Sequence, residues 1–158
     1  MVTKITTMDG PGFELLAEVE GLVLHPYLDS ANIPTIGIGA THYENGVRVT
    51  MKDTSITKQR AIELCHNLAK VFFEGVDSVT RDDINQNQFN ALSCFCYNGG
   101  IGMLKMSTLL KKVNVNPNDP TIADEFRKFT WGHKDGVAIH IEGLISRREK
   151  EILMYFKP

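Results

Sequence analysis

Two acids and a hydroxyl stand near the start of the chain: Glu20, Asp29 nine positions on, and Thr35 six further. Cutting a glycosidic bond in water needs one carboxyl to protonate the leaving oxygen and another polar group to hold a water or the developing sugar cation. Glu20 suits the first task, Asp29 the second, and Thr35 could place the water. Each also has a plainer reading. Glu20 can be an exposed carboxylate after a helix, Asp29 before Ser30 can cap a turn through its side chain, and Thr35 can be an ordinary strand residue. Gly37 and Gly39 can be bulges or a tight hairpin rather than room for a substrate.

The elements that must position these groups follow from the residue pattern. Pro11 to Val19 mixes Phe13, Leu15, Leu16 and Val19 with Glu14 and Glu18, which predicts a short amphipathic helix with Pro at its start and Gly21 where it stops. Glu20 then falls at a helix end. Short extended runs from Tyr27 to Val49 are interrupted by Ser30-Ala31-Asn32 and by Glu44-Asn45-Gly46, the second a hairpin signal because Asn-Gly tolerates positive φ. From Thr57, a candidate cap, Ala61, Leu64, Cys65, Leu68, Phe72, Val76 and Val79 recur at helical spacing, so a helix of roughly twenty residues is expected.

Asn85 to Tyr97 reads as a more apolar helix with Phe89, Leu92, Phe95 and Cys96 inward, ended by Asn98-Gly99-Gly100-Ile101-Gly102. Ile122 to Trp131 is expected as a short helix and Gly132 to Gly136 as a turn. Glu142 to Phe156 closes the chain as a helix with Leu144, Ile145, Ile152, Leu153 and Phe156 inward. The expected fold class is α+β: a small β-containing N-terminal lobe and a helical C-terminal lobe joined by a long helix, with an elongated ligand held in a cleft between lobes. The expected boundaries are a flexible arm over 1–10 and one domain over 11–158, divided into an N-lobe at about 11–56, a linking helix at about 57–79 and a C-lobe at about 80–158.

Composition excludes several classes. Among 158 residues, 42% are hydrophobic and 23% charged, as in soluble globular proteins, and no apolar run is long enough to cross a bilayer. The net charge of -2 is too weak a bias to argue for nucleic acid or an anionic surface, and no nucleic-acid partner is expected. Residues 1–10 do not read as a signal peptide, so the expectation is synthesis in the cytoplasm. Cys65, Cys94 and Cys96 lie in apolar stretches and read as buried thiols, and the histidines lack ligand spacing, so no metal is expected. His25 and His133 receive no role. A monomer is expected, since nothing in the chain needs oligomerisation to fold.

At these residues the chain resembles the phage-type, T4-like lysozymes and endolysins, a glycoside hydrolase family, in the motif style of the lambdoid, P22-like phage endolysins. The likeness rests on Glu20-Gly-Leu, Tyr27-Leu-Asp29 and Pro34-Thr35-Ile-Gly-Ile-Gly39. It continues through Asn87-Gln88-Phe89-Asn90-Ala91-Leu92, Tyr97-Asn98-Gly99-Gly100-Ile101-Gly102, Ser107-Thr108-Leu109-Leu110 and Gly143-Leu-Ile-Ser-Arg147-Arg148-Glu149. The resemblance implies the two-lobed lysozyme fold and hydrolysis of the β-1,4 bond between N-acetylmuramic acid and N-acetylglucosamine in peptidoglycan, with inversion and without a cofactor. By it, Glu20 is the general acid, Asp29 activates or orients the water, and Thr35 helps hold that water. Gly37 and Gly39 line the substrate cleft, and Arg147 is a positioner lying against the catalytic glutamate. It further implies action on the cell wall after release or export, aided by a membrane-pore, holin-like protein or an export system. Chitin hydrolysis and a catalytically inactive peptidoglycan-binding protein are the alternatives. One departure stands out: where many relatives follow the Gly-Ile-Gly motif directly with histidine, Ala40 and Thr41 here precede His42, so the His-to-Asp salt bridge often found there is in doubt.

Overall fold

In the computed structural model the described residues are 3–158. The chain forms two compact units, one from Phe13–Val71 and the other from Met1–Gly12 with Phe72–Pro158. The architecture is α+β, with a small N-terminal β sheet and a mostly helical C-terminal part.

Helix α1 (Gly10–Glu20) opens where the Asp9 carboxylate accepts the Gly12 N–H at 3.3 Å. It stops at Gly21, whose φ of +83° suits glycine and whose N–H donates to the Ala17 carbonyl at 2.9 Å. Strands β1 (Val23–Leu28) and β2 (Pro34–Gly37) pair antiparallel, with Tyr27 opposite Thr35 and Leu28 opposite Pro34. The register shifts between Val23 and Tyr27, around Pro26, which has no N–H to give a ladder.

The chain reverses again at Gly37 and Gly39, both at positive φ, while Ile36 and Ala40 exchange backbone hydrogen bonds of 2.8 and 3.0 Å. Ile36, Ala40, Val49 and Leu64 form a small buried cluster over which Tyr43, Ile56 and Leu68 pack. The turn at Asn45-Gly46 forms as expected, though only an isolated bridge, His42 to Arg48, flanks it. Helix α2 (Lys58–Val79) begins where the Thr57 hydroxyl accepts the Arg60 N–H at 3.0 Å, and it runs on past Val71 into the second unit. On its outer face Arg60 grips both Glu44 oxygens at 2.7 and 2.8 Å and Asn67 adds a third bond, which together hold the Glu44 carboxyl down at about 2.

The second unit is built on α3 (Gln86–Gly99), fixed at its start by a reciprocal cap between Asn85 and Gln88. Phe89, Leu92, Phe95 and Cys96 point inward, as the helical spacing predicts. Helices α4 (Ile101–Lys105), α5 (Thr108–Val115) and α6 (Ile122–Arg127) follow, and α7 (Glu142–Tyr155) packs on α3 and α6. Phe95, Phe126, Phe129 and Tyr155 meet edge to face in its core, at centroid distances of 4.9–5.7 Å.

Two expectations change here. Helix α6 ends at Arg127, and Trp131 instead opens strand β3 (Trp131–Lys134), which pairs with β4 (Val137–His140) through a turn at Asp135 and Gly136, both at positive φ. On α7, Ile145, Leu153 and Phe156 are exposed, whereas Arg147, Arg148, Glu151, Ile152 and Tyr155 are buried. Residues 3–9 carry no regular element; Met8 is buried and Lys4 lies 3.1 and 2.8 Å from Asp77 and Asp82. Met1 and Val2 lie outside the described residues.

Candidate functional site

Glu20, Asp29, Thr35, Gly37 and Gly39 all fall in the unit Phe13–Val71. Glu20 is the last residue of α1 and half-buried. Its carboxyl lies against the backbone of the second reversal: a Cβ built on Gly39 would fall 3.1 Å from Glu20 Oε2. Gly39 therefore has two reasons to be glycine, its φ of +68° and this close approach. Gly37, at φ +67°, meets a different neighbour, since a Cβ there would sit 3.4 Å from that of Ala61 on α2. Gly39 touches the acid, while Gly37 lets the helix approach the sheet.

Asp29 follows β1 directly and does cap a turn. Its Oδ1 accepts the N–H groups of Ala31 at 2.8 Å and Ile33 at 3.0 Å, and its backbone N–H and carbonyl close the same loop with Ile33 and Asn32. Two N–H bonds on one oxygen fix the plane of the carboxylate, and among the described residues Oδ2 accepts no hydrogen bond. Asp29 thus takes the turn-capping reading of its sequence position through Oδ1. Thr35, 2% exposed on β2, donates its hydroxyl to the Ile33 carbonyl at 2.9 Å. With its proton committed there, the oxygen retains a lone pair that can only accept.

Tyr27 was not singled out by its residue type. It sits opposite Thr35 in the ladder and two residues before Asp29, so the three share one face of the small sheet. Burial raises its phenol above the ordinary tyrosine range, and the negative charges of Asp29 and Glu20 raise it further. The signal for it was the register, which a single sequence does not print.

Arg147 lies in the other unit, on α7, and is not a surface cation. Its guanidinium donates to the Cys94 carbonyl at 2.9 Å and stands 3.6 Å from Glu151, which Arg148 approaches at 3.1 Å. Arg148 also donates to Asn98 Oδ1 at 2.5 Å and covers the Phe95 ring at 4.8 Å. Burial pushes the Glu151 carboxyl up to about 7 against the pull of both arginines, and burial first, then the Glu151 charge, takes the Cys96 thiol up to about 12. All three cysteines are buried. Among the described residues no His, Cys, Asp or Glu group could hold a metal ion, and His42 has no acidic partner, its ring nitrogen lying 3.4 Å from the Thr41 hydroxyl. No helix there is long and apolar enough to cross a membrane.

The geometry meets its counterpart in known proteins. The family profile described as Phage lysozyme matches residues 17–151. The chain belongs to the phage lysozyme family. It is 35% identical over 146 residues to an endolysin of Bacillus phage B103, covering 91% of this chain and 52% of that protein. It is 32% identical over 144 residues to the endolysin of Salmonella phage P22, covering 91% of this chain and 94% of that one. Among solved structures, the endolysin from Escherichia coli O157:H7 phage FAHEc1 superposes with a TM-score of 0.89 at 29% identity, over 98% of this chain and 96% of the other. The chain spans about half the length of the Bacillus phage endolysins it matches, at 52% and 53%.

Proposed function

We propose that this phage lysozyme family member hydrolyses the β-1,4 bond between N-acetylmuramic acid and N-acetylglucosamine in peptidoglycan, with inversion. The observation that carries the reading is the Glu20 carboxyl seated against Gly39 at the end of α1, beside a hairpin that bears Asp29 and Thr35. In this reading Glu20 gives its proton to the leaving oxygen as the glycosidic bond breaks. The water oxygen bonds to the anomeric carbon as the Oδ2 of Asp29 takes one of its protons, and the Thr35 oxygen accepts a hydrogen bond from the hydrogen that stays on it. Because the Asp29 plane is fixed by the turn and the Thr35 hydroxyl by Ile33, the water's two acceptors are set before substrate arrives.

Endolysins are the relatives of this chain, which fits a wall-degrading role. Synthesis in the cytoplasm, action on the wall, a monomeric state and passage with the help of a holin-like pore or an export system belong to the same proposal. The division into lobes at about 11–56 and 80–158 around a linking helix is its working domain scheme. The test is muropeptide analysis of digested peptidoglycan with Glu20→Gln as control. Wild type should release reducing-end N-acetylmuramic acid, and the amide variant, folded but without an acidic proton, should release none. Near-normal turnover by folded Glu20→Gln would remove Glu20 from its role. Cleavage of chitin in place of peptidoglycan would reassign the substrate.

A further inference from the structure

Tyr27 carries a polar group that the water-holding arrangement does not use. It is half-buried on β1, directly across the ladder from Thr35 and two residues before Asp29 on the same face of the hairpin. Among the described residues its hydroxyl makes no hydrogen bond, and it is not among the buried polar atoms, so it is open to a ligand. Its neighbours on that face are already committed. Asp29 Oδ1 is filled by Ala31 and Ile33, and the Thr35 proton goes to Ile33, so neither offers the face a fixed donor. A sugar ring is rimmed with hydroxyl and carbonyl oxygens, and the reaction needs one such oxygen held while Glu20 and the water act on either side.

Resting on the proposed function, we infer that Tyr27 is a substrate-contacting residue, its phenol hydroxyl donating a hydrogen bond to a sugar oxygen of the glycan beside the bond that is cut. Burial first, and then the nearby charges of Asp29 and Glu20, raise the phenol above its ordinary range, so it remains a donor throughout the range in which a carboxylic acid works as the proton source. Donor and acceptors then divide the face: Tyr27 gives to the sugar, while Asp29 and Thr35 accept from the water.

The experiment uses the non-cleaving Glu20→Gln protein and a soluble tetrasaccharide of alternating N-acetylglucosamine and N-acetylmuramic acid, with affinity read by NMR titration. Adding Tyr27→Phe keeps the ring and its packing and removes only the hydroxyl. Affinity should fall roughly 3- to 10-fold, the size of one neutral hydrogen bond, with an unchanged melting temperature. In the otherwise wild-type enzyme the same change should raise KM more than it lowers kcat. A second readout is independent of activity: in protein labelled at the tyrosine ring carbons, the Tyr27 titration should move down in Asp29→Asn. Equal affinity with and without the hydroxyl, or a Tyr27 titration indifferent to Asp29, overturns the inference. A wild type that binds the tetrasaccharide through Tyr27 yet leaves it uncut overturns the hydrolase reading and leaves this contact standing.

Discussion

Replacing Gly39 with alanine separates the cost of a backbone conformation from the cost of crowding the proposed acid. The residue sits at φ +68°, where a side chain costs about 1–2 kcal/mol. Gly46 provides the control, at φ +83° with nothing within 4 Å of a built Cβ. Both alanine variants should therefore lose about 1–2 kcal/mol, a fall in melting temperature of roughly 2–8 °C for a chain of this size. Only at Gly39 does the added methyl meet Glu20 Oε2, at 3.1 Å, short of the 3.4 Å at which ordinary contact begins. The carboxyl must then yield by a few tenths of an ångström. Since misplacing a reacting group by about 1 Å can cost about 100-fold, the smaller shift should cost roughly 3- to 10-fold in kcat. Muropeptide release measured well below both melting temperatures reads this directly. Equal rates for Gly39→Ala and Gly46→Ala, after both are shown to be folded, would refute the placement of Glu20 as the acid.

Asp29→Asn keeps the acceptor for Ala31 and Ile33, so it should melt near wild type while losing most activity, whereas Asp29→Ala should lose about 1 kcal/mol as well. Thr35→Val should also be costly, and the first product from wild type should carry the α configuration; an initially β product, seen by NMR before mutarotation, contradicts the water-attack arrangement. Glu44 titrates at about 2 when folded against an ordinary 4.5, so its pairing with Arg60 stabilises above pH 4.5 and is lost as pH falls towards 2. That pair is partly exposed and worth about 1 kcal/mol at most, so urea melts of wild type and Glu44→Gln should differ slightly at pH 7 and converge only as the pH falls through about 2. A gap of equal size at both pH values would count against the pairing.

What was legible in the sequence divides by the kind of physics that sets each element. Helices α2 and α3 declare themselves because apolar residues recur on their buried faces at helical spacing, and for α2 because Thr57 caps within three residues. The β3 and β4 pair hides because Val137, Ala138, Ile139 and His140 are all exposed, so no alternation marks them, and only Asp135-Gly136 signals a hairpin. Helix α7 misleads for the opposite reason. Choosing inward residues by hydrophobicity selects Ile145, Leu153 and Phe156, but the face that packs is Arg148, Glu151, Ile152 and Tyr155 at helical spacing of three, one and three. Arginine and glutamate can turn inward there because they neutralise one another and Asn98 takes a further guanidinium proton, a cancellation visible only once α3 lies beside them.

The site shows a subtler limit. A turn-capping aspartate and a water-holding aspartate are competing readings of one letter only if the carboxylate is treated as a single acceptor. Its two oxygens let the fold use one for the Ala31 and Ile33 N–H groups and leave the other to the face shared with Tyr27 and Thr35. The structural use would make the proposed chemical one precise, because the same turn that needs Oδ1 also constrains Oδ2. Thr35 repeats the device: its proton anchors it to Ile33, and the anchored oxygen becomes a directed acceptor. The loop of residues 29–33 thus orients both proposed water ligands through its own backbone, so a change within it that preserved Asp29 and Thr35 could still misdirect them.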